Sequence, residues 1–202
     1  MAHIGLMGGT FDPVHNGHLL LGKQAYEEQG LDCVWFMPSG QPPHKRDRQV
    51  TSAADRCAMV KLAIEGQPGF VFSDFEVSRE GCTYTAQTLA LLREAYPADD
   101  FSYIIGADSL YEIESWYHPE VVLSAVPLLV ASREYDHDHL PLQSQIAYLT
   151  SRYGARICLL HCGEVDIASN TVRRLVAQGQ SIRDYVPKAV EEYIWSRHLY
   201  LS

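Results

Sequence analysis

The chain has 202 residues and a mass of 22.7 kDa, with 47% hydrophobic and 20% charged residues. This excludes a disordered, collagen-like or low-complexity protein and leaves apolar area for one large α/β domain or two small ones. Lys plus Arg number 16 against 25 Asp plus Glu, a net charge of −9, which disfavours a general nucleic-acid or anionic-membrane surface and makes any phosphate site a local one.

Met1 to Gly9 lacks the basic stretch and long apolar run of a signal peptide. The longest apolar stretch, Val121 to Ala131, is interrupted by Ser124 and Pro127 and falls short of the roughly 18 residues a membrane span needs. The five cysteines, Cys33, Cys57, Cys82, Cys158 and Cys162, include no C-x-x-C pair. They read as reduced thiols of a cytoplasmic protein that neither enters a membrane nor binds nucleic acid.

Ile4 to Met7 predicts a buried strand closed by Gly8 and Gly9, and Gly17 to Gln29 a helix with Gly30 just past its end. Cys33 to Met37 reads as a second buried strand. A polar loop from Ser39 to Val50 follows, and Ser52 with Asp55 resembles a capping box opening a helix that closes at Gly66. Phe70 to Val77 has strand composition, and Thr85 is expected to cap a helix carrying Leu89 and Leu92. Phe101 to Ile105 predicts a strand, Ser109 to Glu114 and Pro119 to Ala125 two short helices, and Leu128 to Ala131 another strand. Helix Gln143 to Arg152, strand Arg156 to His161 and helices Ser169 to Gln178 and Pro187 to Arg197 complete the pattern.

Strands alternate with helices from end to end, which implies an α/β fold, a doubly wound parallel sheet of Rossmann-like type in a single domain. The domain is expected to span residues 1–202, with the C-terminal helices from about 169 packed on it. Ligands in such sheets bind beyond the carboxyl ends of the strands, which selects the turns after Met7, Met37, Ile105 and His161.

The turn after the first strand reads Gly8-Gly9-Thr10-Phe11-Asp12-Pro13-Val14-His15-Asn16-Gly17-His18. It has the place of a phosphate loop but neither G-x-G-x-x-G nor P-loop spacing, which weakens dinucleotide and kinase-type readings. His15 and His18 are three apart at a helix start, beside free backbone N–H groups and the positive end of the helix dipole. A lone His there is more often a cap or a core residue. A pair at a glycine-rich strand-to-helix turn favours an anion site with two imidazole donors.

The H-x-G-H run after G-G-T-F-D-P resembles the signature of the nucleotidyltransferase superfamily. Within it the chain is similar to the bacterial nicotinate mononucleotide adenylyltransferases. The similarity runs through Gly40-Gln41-Pro42-Pro43-His44-Lys45, Tyr84-Thr85, Gly106-Ala107-Asp108-Ser109-Leu110, Trp116-Tyr117 and Ile167 to Arg173. The resemblance implies transfer of the adenylyl group of ATP to nicotinate mononucleotide with His15 and His18 as the catalytic pair, and Mg²⁺ brought with ATP. It assigns ATP to Gly8, Gly9, Thr10, Phe11, His15, His18, Gly106, Asp108, Ser169 and Arg173. The acceptor is assigned to Thr10, His44, Lys45, Thr85, Trp116 and Tyr117, with Trp116 stacking on the ring and Thr85 meeting its carboxylate. The family pattern I-S-S-T-x-I-R is altered here, since Ala168 replaces its first Ser and Asn170 its Thr. For Lys45 a solvated surface role stays open beside phosphate binding.

The run Asp136-His137-Asp138-His139 is expected to be a solvated loop, and His161 beside Cys158 and Cys162 is not expected to hold zinc. Nicotinamide mononucleotide or phosphopantetheine as acceptor, and a non-catalytic adenine-nucleotide module, remain alternatives, and homo-oligomerisation stays open.

Overall fold

In a computed structural model, residues 1–40, 50–131, 141–161 and 167–201 are described. His44, Lys45, Cys162 and the run Asp136 to His139 lie outside them.

Among the described residues, six strands form one sheet: β1 (His3–Gly9), β2 (Cys33–Pro38), β3 (Phe70–Phe72), β4 (Asp100–Ile105), β5 (Leu128–Ala131) and β6 (Ile157–Leu160). Eight helices accompany them: α1 (Asn16–Gln29), α2 (Ala53–Ile64), α3 (Thr85–Ala95), α4 (Ala107–Glu112), α5 (Pro119–Ala125), α6 (Leu142–Tyr153), α7 (Ser169–Ala177) and α8 (Lys188–Ser196). A 3₁₀ turn, Ile113–Ser115, follows α4. Every pairing is parallel and the strand order is β3-β2-β1-β4-β5-β6. The chain therefore reverses its direction of travel between β1 and β4, and the crevice beyond their carboxyl ends is where such a sheet binds ligands.

Each face of the sheet carries its own apolar cluster. Phe36, Met59, Val60 and Leu129 share one with Val172, Val176, Val190 and Ile194 of α7 and α8. Leu6, Leu92, Tyr103 and Leu110 belong to the other. The C-terminal helices thus cover the α1–α2 side of the sheet, because their apolar stripes have no other surface on which to leave water.

Most predicted elements lie within two residues of their expected bounds, and Pro119–Ala125 and Leu128–Ala131 coincide with them. Three differ. The strand expected over Phe70 to Val77 stops at Phe72, because it is an edge strand that pairs β2 only from Val34 to Phe36 and then turns. Thr85 is the first residue of α3 and Tyr84 the N-cap, with no side-chain cap bond. The helix expected from Ser109 begins at Ala107, directly after Gly106.

Ser52 does cap α2, its Oγ accepting from the Asp55 N–H at 3.1 Å while donating to the Asp55 carboxylate at 2.6 Å. Removing that acceptor strands a first-turn donor. Ser52→Ala is expected to lower the unfolding free energy by about 1 kcal/mol, read from urea denaturation monitored by circular dichroism.

Candidate active site

The site begins where β1 runs out. A Cβ on Gly8 would collide with the Tyr103 hydroxyl, and one on Gly9 would press on the Phe11 ring, at 3.2 Å, so the backbone here passes closer to its neighbours than any side chain allows. The Ser39 N–H donates to the Gly9 carbonyl at 2.8 Å, joining the ends of β1 and β2.

His15 is the N-cap of α1 and is only 6% exposed. Its backbone N–H donates to Nδ1 of His18 at 3.2 Å, and the two rings stack with centroids 3.7 Å apart. In the neutral His18 ring this contact makes Nδ1 the acceptor and puts the proton on Nε2, where it acts as a donor. Burial pushes the His15 imidazole down from its ordinary value of 6.5 to about 4, so it is uncharged at neutral pH. Its Nδ1 is buried and has no hydrogen-bond partner among the described residues. Phe11, itself buried, meets the His18 ring edge-on at 5.0 Å. The pair is thus two imidazoles, that of His15 neutral, held in register by stacking, a cap and an aromatic brace.

The rest of the loop is fixed from distant parts of the chain. Ser169 Oγ donates to the Pro13 carbonyl at 2.9 Å and Arg173 Nη1 to the Asp12 carbonyl at 2.6 Å, which brings both predicted residues of α7 to the first turn. Ala168, the N-cap of α7, provides no side-chain cap bond, as its methyl group dictates. Gly106 and Asp108 stand across the crevice at the end of β4, with Asp108 exposed in the first turn of α4.

Gly8, Gly9 and Thr10 also form one wall of a cavity of about 210 Å³ whose other walls include Thr85, Trp116 and Tyr117. Trp116 is half-buried, and the Tyr117 ring packs on Tyr84 with centroids 4.4 Å apart. Gly8, Gly9 and Thr10, assigned to ATP, thus also form part of the cavity that bears Thr85, Trp116 and Tyr117, assigned to the acceptor.

Comparison with known proteins gives the chain's family. The model of the cytidylyltransferase-like family matches residues 6–192. A protein of Lachnoclostridium phytofermentans named "Probable nicotinate-nucleotide adenylyltransferase" is 41% identical over 201 residues, covering 100% of both chains. One of Thermomicrobium roseum under the same name is 40% identical over 200 residues, covering 99% of this chain and 92% of that one. The chain belongs to the nicotinate-nucleotide adenylyltransferase family. Its fold is shared by the Plasmodium falciparum nicotinic acid mononucleotide adenylyltransferase complexed with NaAD, with a TM-score of 0.82 at 19% identity over 99% of this chain and 98% of that one.

Three residues shape the turn of this adenylyltransferase, and two of them, Arg56 and Tyr200, escape a reading of its motifs. Arg56 of α2 is 2% exposed and donates to four carbonyls. Nε bonds Thr51 at 3.1 Å, Nη1 bonds Thr10 at 2.8 Å and Ser39 at 2.9 Å, and Nη2 bonds Gly40 at 3.1 Å. Asp12 is buried and accepts at Oδ1 from the Tyr200 hydroxyl, at 2.7 Å. Burial, then the charge of Asp12, raises the Tyr200 phenol above its usual range, so it donates as a neutral hydroxyl. Neither Arg56 nor Tyr200 has a local motif; each is recognisable only through partners 16 to 188 positions away.

The depressed His15 value has a consequence for stability. Between its ordinary 6.5 and about 4, the unfolded chain takes up a proton that the folded ring refuses, so the native state loses ground as pH falls through that window. At pH 5 the loss from this group is about 2 kcal/mol relative to pH 7. His15→Gln is expected to reduce the drop in unfolding free energy between pH 7 and 5 by about that amount, measured by urea denaturation at both pH values.

Proposed function

We propose that this chain transfers the adenylyl group of ATP to nicotinate mononucleotide, forming nicotinate adenine dinucleotide and pyrophosphate in NAD synthesis. One observation carries the proposal: a helix start bearing two stacked imidazoles follows directly on the turn Gly8 to Thr10, which also walls a cavity bearing Thr85 and Trp116. Two substrates seated on either side of that wall would meet at its edge.

A phosphate oxygen of the mononucleotide attacks the α-phosphorus of ATP in line. The new oxygen–phosphorus bond forms as the bond to the bridging oxygen of pyrophosphate breaks, and no covalent enzyme intermediate is needed. His18 donates from Nε2 to the charge that grows on the phosphoryl oxygens and leaving group, and His15 supports it from the cap of α1. Because the His15 ring is neutral, it contributes a directed donor rather than net charge. Ser169, Arg173 and the open amides of α7 face the far phosphates in this arrangement, while Gly106 and Asp108 take the nucleoside side.

Trp116 supplies a flat face for the pyridine ring, Thr85 meets its carboxylate, and Thr10 and Tyr117 complete the acceptor wall. His44 and Lys45 are assigned to the acceptor as well, in the segment outside the described residues. Mg²⁺ enters as the cation of MgATP, offsetting triphosphate charge; the donor set at the turn consists of imidazoles and amides suited to anions. No helix among the described residues is long and apolar enough to cross a membrane. The proposal places the enzyme in the cytoplasm with ATP, its donor.

Incubation with MgATP and either nicotinate or nicotinamide mononucleotide, following pyrophosphate, tests reaction and acceptor together. Release with nicotinate mononucleotide is expected. ATP binding without pyrophosphate release from either acceptor would instead favour a non-catalytic nucleotide module.

His18→Ala is expected to retain the fold and lower turnover by at least about a hundredfold, as loss of a positioned donor to a developing anion does; a near-normal rate removes the pair from the chemistry. In Trp116→Ala the KM for nicotinate mononucleotide should rise far more than that for ATP, and an equal rise in both would contradict stacking.

A further inference from the structure

Three segments from the C-terminal part of the chain close on the turn that leads into α1. Ser169 and Arg173 of α7 reach the carbonyls of Pro13 and Asp12. Before α8, the Asp184 carbonyl accepts from the Asn16 side-chain amide at 3.2 Å and the Tyr185 carbonyl from the Asn16 backbone N–H at 2.8 Å. Beyond α8, the Tyr200 hydroxyl donates to Asp12 Oδ1 at 2.7 Å. Asp12 Oδ2 accepts from the Thr51 N–H at 3.4 Å, so both oxygens of this buried carboxylate are held. Tyr200 and Phe11, the neighbour of Asp12, both have left-handed backbone, with φ of 63° and 50°. A non-glycine residue keeps that conformation only where its surroundings over-determine it, and such positions cluster at functional sites.

Ser169 and Arg173 are themselves assigned to phosphate, and Asp184 and Tyr185 contribute main-chain atoms. Tyr200 is different, since its hydroxyl bonds only a side chain of the turn. We propose that Tyr200 is a positioning residue for the nucleoside triphosphate, its hydroxyl holding the Asp12 carboxylate so that this anion does not compete with phosphate for the donors of the turn. This rests on reading the turn as the triphosphate site. A carboxylate among phosphate donors repels the ligand and attracts the same partners, unless other donors fix it. Without the Tyr200 hydroxyl, Oδ1 is a buried anionic oxygen lacking its donor, and it turns toward what the turn offers. One such donor is Arg173, which already bonds the Asp12 carbonyl. Tyr200 does not line the cavity assigned to the acceptor, so its influence falls on the ATP side.

Tyr200→Phe keeps the ring and removes the hydroxyl. The KM for MgATP is expected to rise about five- to tenfold, as for loss of one buried hydrogen bond. The KM for nicotinate mononucleotide should stay within about twofold and kcat within about threefold. A purely structural tyrosine would lower the melting temperature and leave both KM values in place, which overturns the proposal; equal rises in both KM values overturn it too.

A second route avoids reliance on one variant. Asp12→Asn keeps the shape of the side chain and removes its charge, so adding Tyr200→Phe to it should raise the MgATP KM less than about twofold, because no anion remains to be released. The same five- to tenfold rise in both backgrounds overturns the assignment. Titration calorimetry with MgATP alone separates this inference from the functional reading. If the wild type releases no pyrophosphate with nicotinate mononucleotide, that reading fails, whereas the inference stands or falls on whether Tyr200→Phe weakens MgATP binding. If the wild type is active and Tyr200→Phe matches it in MgATP affinity, Tyr200 alone is dismissed.

Discussion

The turn at the head of β1 depends on a buried cation. Arg56 gathers the carbonyls of Thr10, Ser39, Gly40 and Thr51, and so joins the chain leaving β1, the chain leaving β2 and the approach to α2. Four carbonyl oxygens at that depth would otherwise lie stranded, each costing about 1–3 kcal/mol. The planar fork of a guanidinium reaches all four, whereas the point charge of an ammonium group does not. Desolvation weighs against the charged form, and the nearby carboxylate of Asp12 weighs for it. The cation therefore survives burial through carbonyl dipoles and one neighbouring charge, and it sits beneath the crevice that is proposed to receive two phosphate-bearing substrates.

This arrangement reconciles an acidic protein with an anionic ligand pair. A net charge of −9 provides no general attraction for phosphates. What the crevice offers is local and directed: amides at the start of α7, the stacked imidazoles of His15 and His18, and the cations Arg56 and Arg173 bonded to backbone carbonyls of the turn. Asp12 shows how tightly the local charges are managed. Its carboxylate accepts from Tyr200 and its carbonyl from Arg173, so the one acidic side chain within the turn has its oxygen tied from the C-terminal end of the chain.

The division of labour across the glycine turn follows from the topology. Strand order reverses between β1 and β4, so the helices after these strands leave on opposite sides and open a crevice that neither fills. On one side α1 presents the imidazoles. On the other, Thr85 at the start of α3 and Trp116 after the 3₁₀ turn form a cavity wall, with Tyr103 beneath them. Gly8 and Gly9 belong to both sides because a residue with a side chain would push away Tyr103 or Phe11.

Much of this was legible in the amino-acid order, because it rests on short-range patterns. Alternating apolar runs and amphipathic stretches mark a parallel sheet with covering helices, and the H-x-G-H run after two glycines locates the imidazole pair at the start of α1. Local signals mislead where partners decide: composition extends the strand at Phe70 past the point where β2 has room to pair with it, and Thr85 looks like a cap when Tyr84 fills that position. Arg56 in α2 reads as one more polar residue on a helix, and Tyr103 as one more aromatic residue in a buried strand. Only tertiary structure brings the guanidinium under two loops and the phenol hydroxyl against Gly8, because hydrogen bonds and close contacts between residues far apart in the chain leave no periodicity to read. The amino-acid order thus determined the sheet, the order of its helices and the place of the imidazole pair, through hydrophobic spacing and glycine geometry. The packed fold alone decided which buried polar groups hold that place open, since each is satisfied by a partner from another element.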